Sequence, residues 1–242
     1  MLVFCHLLIG TMLGLLLYRS MGDRRVVLAA ALGAILPDII DKPLGHLLLQ
    51  STLDSGRIFA HSLLFLGMIT LVGVVAWRSK LTPLVLVLAV GVASHLVLDT
   101  MWDNPVTLLW PALGPFQPYH YPGYFENSFV TEITSPLEWL FGASFLIIIT
   151  ALYHDKLGSW EGLVERVRAI RLPLFALLAV VGGLSIVALL FSPVDAVDLP
   201  PKLMAGACAI VGGGFLFIRE KRGELLEAPE EGSDRASPSG SR

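Results

Sequence analysis

The sequence predicts an all-α, polytopic integral membrane bundle of about seven transmembrane helices, with its N-terminus outside and its C-terminus inside. Three observations lead there. Of 242 residues, 55% are hydrophobic and only 15% charged, where ordinary soluble domains carry about 25% charged residues. The mean hydropathy is +0.72. Seven apolar stretches, 2–18, 26–41, 58–77, 81–100, 136–153, 172–192 and 203–218, reach or approach the length that spans a hydrocarbon layer, about 17–25 residues. The same figures exclude other classes. A net charge of −3 and a pI of about 6.1 leave no basic excess for nucleic acid. Two cysteines and no CxxC provide neither a disulfide framework nor a zinc ribbon.

Each element has its own justification. The stretch 2–18 has no basic residue before it, Arg19, Arg24 and Arg25 after it, and no A-x-A site, so it reads as a helix rather than a signal peptide. The second stretch closes on Asp38 and Asp41, the third opens at His61, and the fourth closes on His95 and Asp99. Residues 101–135 form a long loop with five prolines and dense aromatics, suited to the headgroup level and to covering a site. Residues 157–171 read as an amphipathic helix on the inner leaflet anchored by Trp160, and 223–242 as a disordered tail. The expected organisation is a metal-site unit at 1–155, a linker at 156–171, a helix pair at 172–218 and a tail at 219–242.

Orientation follows from the basic residues. With the N-terminus outside, the inner segments hold Arg19, Arg24, Arg25, Arg78, Lys80, Lys156, Arg166, Arg168, Arg171, Arg219, Lys221, Arg222, Arg235 and Arg242. The outer ones hold only Lys42, Arg57 and Lys202.

This topology brings His6, Asp38, Asp41, His61, His95 and Asp99 to one depth on the outer side, from four different helices. An ionisable group inside a bilayer is costly, on the order of 2.5–3.5 kcal/mol for a central Asp, and marks function by default. His95 and Asp99 are four apart and Asp38 and Asp41 three apart, so each pair shares a helix face. Gly10 and Gly14 continue the face of His6 and leave it bare for a neighbouring helix. Imidazoles mixed with carboxylates suit Zn or Mn, where a Ca or Mg cage would use oxygen alone. Six candidate ligands exceed what one tetrahedral ion needs and fit two divalent ions bridged by an Asp and a water, with one ion backed by outer carboxylates as the second reading. Ser62 and Ser94 read as bonding the backbone, and His46 and His120 as interfacial or satisfied core residues.

The motifs LPDIIDKPLG (36–45), GRIFAHSLL (56–64) and ASHLVLDTMWD (93–103), following a His in the first helix, resemble a known family. It is the membrane-bound, predicted metal-dependent hydrolases of the YdjM/YbcI type, and the resemblance covers about residues 1–155. It implies metal ligands at His6, Asp38, Asp41, His61, His95 and Asp99. Two positions depart from the family pattern. Gly56 and Ala60 stand where the family has His and Thr, and the second aspartate falls at i+3, which favours a single-metal or altered site.

The expected function is a membrane-bound metal-dependent hydrolase at the extracytoplasmic face of a prokaryotic cytoplasmic membrane. It would act on an ester or phosphoester, lipid or lipid-linked, that arrives laterally. Asp41, Asp99 and Arg57 are the expected catalytic groups, with Arg57 able to grip a phosphate. Membrane lipids are the expected partners. Two other readings of the same residues are a divalent-ion transporter or channel, and a non-catalytic scaffold whose polar cluster clasps helices. The almost wholly apolar inner halves of the first four helices argue against the transporter.

Overall fold

In the computed structural model the described residues are 3–118, 124–156, 161–191 and 199–226, and among them the chain is helical with no strand. The helices are α1 (Val3–Met21), α2 (Arg25–Pro43), α3 (Leu63–Arg78), α4 (Leu84–Leu98), α5 (Pro105–Leu108), α6 (Tyr124–Thr134), α7 (Pro136–Leu152), α8 (Glu161–Leu189) and α9 (Leu199–Lys221). Each apolar stretch of the sequence becomes a helix. His120, Trp160 and the tail beyond residue 226 lie outside the described residues.

Two boundaries differ from expectation. Residues 58–62 do not begin the third helix, because the backbone N–H groups of Ile58, Ala60 and His61 donate to Asp41 instead. The helix starts one turn later, where Ser62 Oγ caps it by accepting the Phe65 N–H at 3.2 Å. At the other end of the chain, residues 161–171 are not a separate surface helix but the first turns of α8, which continues through Pro173.

By length and composition, α1, residues Val164–Leu189 of α8, and α9 are long and apolar enough to cross a membrane, while α3, α4 and α7 are shorter apolar helices. Their outward faces suit lipid. Leu64, Met68, Leu71, Val72 and Val75 form an exposed stripe on α3, and Leu177, Val180, Leu184 and Val187 another on α8. In water such contiguous apolar faces would each cost several kcal/mol, at roughly 25 cal/mol per Å². The chain is a membrane protein.

Small residues let the helices that carry the site approach closely. A Cβ on Gly10 of α1 would lie 2.6 Å from Ala34 Cβ and 2.8 Å from Ala30 O, both on α2. Between α2 and α4, a Cβ on Gly33 would fall on the Leu88 carbonyl and one on Gly91 on the Ala30 carbonyl. The α8–α9 pair joins the same core, where Cys5, Leu8 and Leu15 meet Phe141, Ile148, Phe175, Leu178 and Leu216.

The end of the bundle away from the polar residues is tied by Arg24. Its guanidinium pairs with both oxygens of Asp155, at 2.5 and 2.8 Å, and donates to Leu152 O at 3.0 Å. This contact holds the Asp155 carboxyl below its ordinary range.

Candidate metal centre

Asp38 and Asp41 lie in the last turns of α2, His61 sits in the turn before α3, and His95 and Asp99 end α4. Asp38, His61, His95 and Asp99 each offer an atom, and all four atoms lie within 4.8 Å of one another. All four residues are buried. Nε2 of His61 and Nε2 of His95 are 3.1 Å apart. Asp38 Oδ1 lies 3.7 Å from the first and 3.8 Å from the second. Asp99 Oδ2 lies 3.8 and 3.9 Å from them.

The far side of each ring fixes its tautomer. His95 Nδ1 faces the Ala34 carbonyl at 2.7 Å, and a carbonyl can only accept. His61 Nδ1 faces Asp41 Oδ2 at 2.7 Å, and that carboxylate already accepts three backbone N–H groups. Both rings therefore donate through Nδ1 and present a lone pair at Nε2. Two lone pairs at 3.1 Å repel unless a positive charge lies between them. Two carboxylate oxygens facing the same point add negative charge there, so the four atoms could hold a divalent cation. The separations also suit one small ion, since tetrahedral bonds of about 2.0–2.2 Å give ligand–ligand edges of about 3.3–3.6 Å. The donor set of two imidazoles and two carboxylates fits a divalent metal of the Zn or Mn kind.

The remaining expected ligands stand one step back. His6 Nε2 lies 3.3 Å from Asp99 Oδ1, the oxygen turned away from the other three ligands, and the His6 ring packs on His95 at 4.2 Å between centroids. Asp41, expected both as a ligand and as a catalytic carboxylate, is fully buried with both oxygens committed. Oδ1 accepts from Ala60 N–H, and Oδ2 from Ile58 N–H, His61 N–H and the His61 ring. Arg57 reaches the centre directly, with Nη2 3.0 Å from Asp99 Oδ2.

Ser62 and Ser94 bond the backbone, donating to Phe59 O and Gly91 O at 2.7 Å each. His46 is a buried structural residue paired with Asp54 at 2.9 Å. Its ring explains Gly56, where a Cβ would lie 2.9 Å from His46 Nε2. In the long loop, Trp110 stacks on Phe116 at 4.8 Å and meets Phe59 edge-on, so the aromatic run packs beside the segment that carries His61.

Two further participants escape a reading of the sequence as isolated motifs. Lys42 Nζ holds Asp38 Oδ2 at 2.7 Å, and its i+4 spacing from Asp38 was the available signal. Glu138 serves α1. Its Oε2 accepts the Phe4 N–H at 2.8 Å and its Oε1 the Cys5 N–H at 3.3 Å, while Glu132 accepts the Val3 N–H at 3.1 Å. These carboxylates satisfy the otherwise unpaired first turn of α1 and so fix where His6 stands. The local sequence Ser135-Pro-Leu-Glu138 signals only a cap for α7 itself, which Ser135 Oγ supplies at 3.4 Å.

No curated protein and no solved structure matches the chain. A family model described as YdjM inner membrane protein matches residues 1–192, extending the expected resemblance past the end of α8. With the Asp-His cluster gathered by α2, α4 and the turn before α3, and with more than half its length matched, the chain belongs to the YdjM inner membrane protein family.

Proposed function

We propose that this protein is a membrane-embedded, metal-dependent hydrolase of an ester or phosphoester. The observation that carries the reading is the pair of facing Nε2 atoms, 3.1 Å apart, with a carboxylate oxygen of Asp38 and one of Asp99 beside them. Asp38, His61, His95 and Asp99 would hold one divalent ion. When bound, such an ion supplies a Lewis acid that activates water and polarises the ester oxygen.

The chain's own residues supply orientation. Asp41 locks the ring and the backbone of His61, and Ala34 O locks His95, as outer partners of ligands commonly do. His6 steadies Asp99. This arrangement makes Asp41 a positioning residue, engages Asp99 as a ligand of the ion, and leaves Arg57 as the expected group that meets substrate.

The proposal includes seven crossings with the centre on the extracytoplasmic side. Support comes from the distribution of Lys and Arg, fourteen of which fall on the other side in that topology out of 17. Support for a substrate that arrives from the bilayer comes from the aromatic loop packed beside the centre.

The test measures hydrolysis of ester and phosphoester lipids by detergent-purified protein before and after chelation, and after zinc or manganese is restored. Turnover that disappears with the metal and returns with it is the expected result. A protein that binds metal but cleaves nothing in either class, while supporting metal uptake into proteoliposomes, would instead favour transport.

A further inference from the structure

Between Arg25 and Arg78 the chain contains two basic residues, Lys42 and Arg57. Both finish on carboxylates of the candidate centre. Lys42 Nζ lies 2.7 Å from Asp38 Oδ2, and Arg57 Nη2 lies 3.0 Å from Asp99 Oδ2. One comes from the last turn of α2 and the other from the segment before α3, yet they are neighbours. A Cβ on Gly56, adjacent to Arg57, would lie 3.3 Å from Lys42 Cγ. The ligand side chains are 0–8% exposed, whereas Lys42 is 29% and Arg57 42% exposed. A molecule approaching the ligands therefore meets these two cations first.

The charges decide what kind of molecule that is. Asp38, Asp41 and Asp99 carry three negative charges, which a divalent ion and the two cations exceed by one. Without Lys42 and Arg57 the balance would reverse. Each cation already pairs with a carboxylate. A neutral carboxylic ester would bring no negative charge to the net positive charge that a divalent ion and the two cations leave, which disfavours it relative to an anion. A phosphoryl group offers what they need, with oxygens for the planar fork of Arg57 and charge for the point cation of Lys42.

We propose that Lys42 and Arg57 form a phosphoryl-binding rim on the metal centre, so that the substrate is an anionic phosphoester and not a neutral ester. This rests on the hydrolase reading and narrows its substrate class. The phosphoryl group belongs either to a lipid or to a small soluble ester. Leu47 and Leu48, 64% and 76% exposed just beyond Lys42, form an apolar margin that places the lipid first.

The experiment uses the full chain in detergent, loaded with zinc and desalted. Zinc content is read by mass spectrometry and binding of inorganic phosphate by equilibrium dialysis, for wild type, Lys42→Gln, Arg57→Gln and Arg57→Lys. Each Gln variant should bind phosphate about tenfold or more weakly, the loss expected for a charge-assisted bond. Zinc content should hold at the wild-type level, because neither change removes a ligand atom. Arg57→Lys should fall between, having kept the charge and lost the fork; it also serves if Arg57→Gln does not elute as a single folded species. Displacement of phosphate by phosphatidic acid nanodiscs, but not by phosphatidylcholine nanodiscs, identifies a lipid source. Displacement by glycerol phosphate alone identifies a soluble one.

Unchanged phosphate binding in the Gln variants overturns the rim and makes both cations simple counter-ions. Wild type that takes up zinc but no phosphate overturns it as well, and leaves the hydrolase reading standing. Wild type that takes up no zinc overturns both.

Discussion

The His61 ring and the His61 backbone N–H both donate to one oxygen of Asp41, at 2.7 and 3.1 Å. With Ile58 and Ala60 also bound at 2.9 Å, a single carboxylate shapes the turn before α3 and sets the tautomer of the imidazole that turn presents. An aspartate expected among the ligands by type and spacing thus orients another of the candidate ligands.

Removing a ligand should empty the centre without unfolding the bundle. Wild type is expected to retain about one equivalent of metal, and His95→Ala or Asp99→Ala less than about a tenth of that. Mass spectrometry of metal content, beside elution profile in detergent, checks it. Wild-type metal content in both variants would refute the ligand assignment.

Asp41→Asn should weaken metal binding without touching a ligand. The amide turns one of the two oxygens into a donor facing backbone N–H groups and loses the charge that favours His61 Nδ1–H. Zinc affinity should fall about 10–100-fold, as for other outer partners of ligands. Competition with a chromogenic chelator measures it, and unchanged affinity would show that Asp41 does not act through His61.

Glu138→Ala strips the first turn of α1 of two of its acceptors. Stability should drop by about 1–3 kcal/mol, the cost of buried donors left unsatisfied. Thermal unfolding in detergent reads the loss. Glu138→Gln, which keeps one oxygen as an acceptor, should fall between it and wild type.

Gly91→Val forces a side chain onto the Ala30 carbonyl and the backbone of α2. Over-packing of this kind costs about 1–3 kcal/mol or more, and here it also parts the helices that carry Asp38 and His95. Both melting temperature and metal content should fall. Gly67→Ala on α3, with open space around the added carbon, should change neither.

Much of the architecture was legible because hydropathy over twenty residues depends little on what surrounds it. Every apolar stretch became a helix, and the polar residues expected at one end of four of them did converge. Finer roles were not legible, because His6 and Asp41 have the same residue types and spacings whether they bind an ion or brace a neighbour that does. Only the partners on their far side, Asp99 for one and the 58–61 backbone for the other, separate the two roles. Glu138 was hidden for a different reason, since it serves a helix 134 residues earlier in the chain.

That separation has a consequence for biosynthesis. The α1 helix is capped by a carboxylate that is made 134 residues later, and at typical elongation rates the delay is on the order of ten seconds. Until α7 emerges, the first turn of α1 has no acceptors from Glu132 or Glu138, and His6 has no fixed position. The nascent chain must wait for α7 before α1 is fixed and the bundle can close over its polar residues.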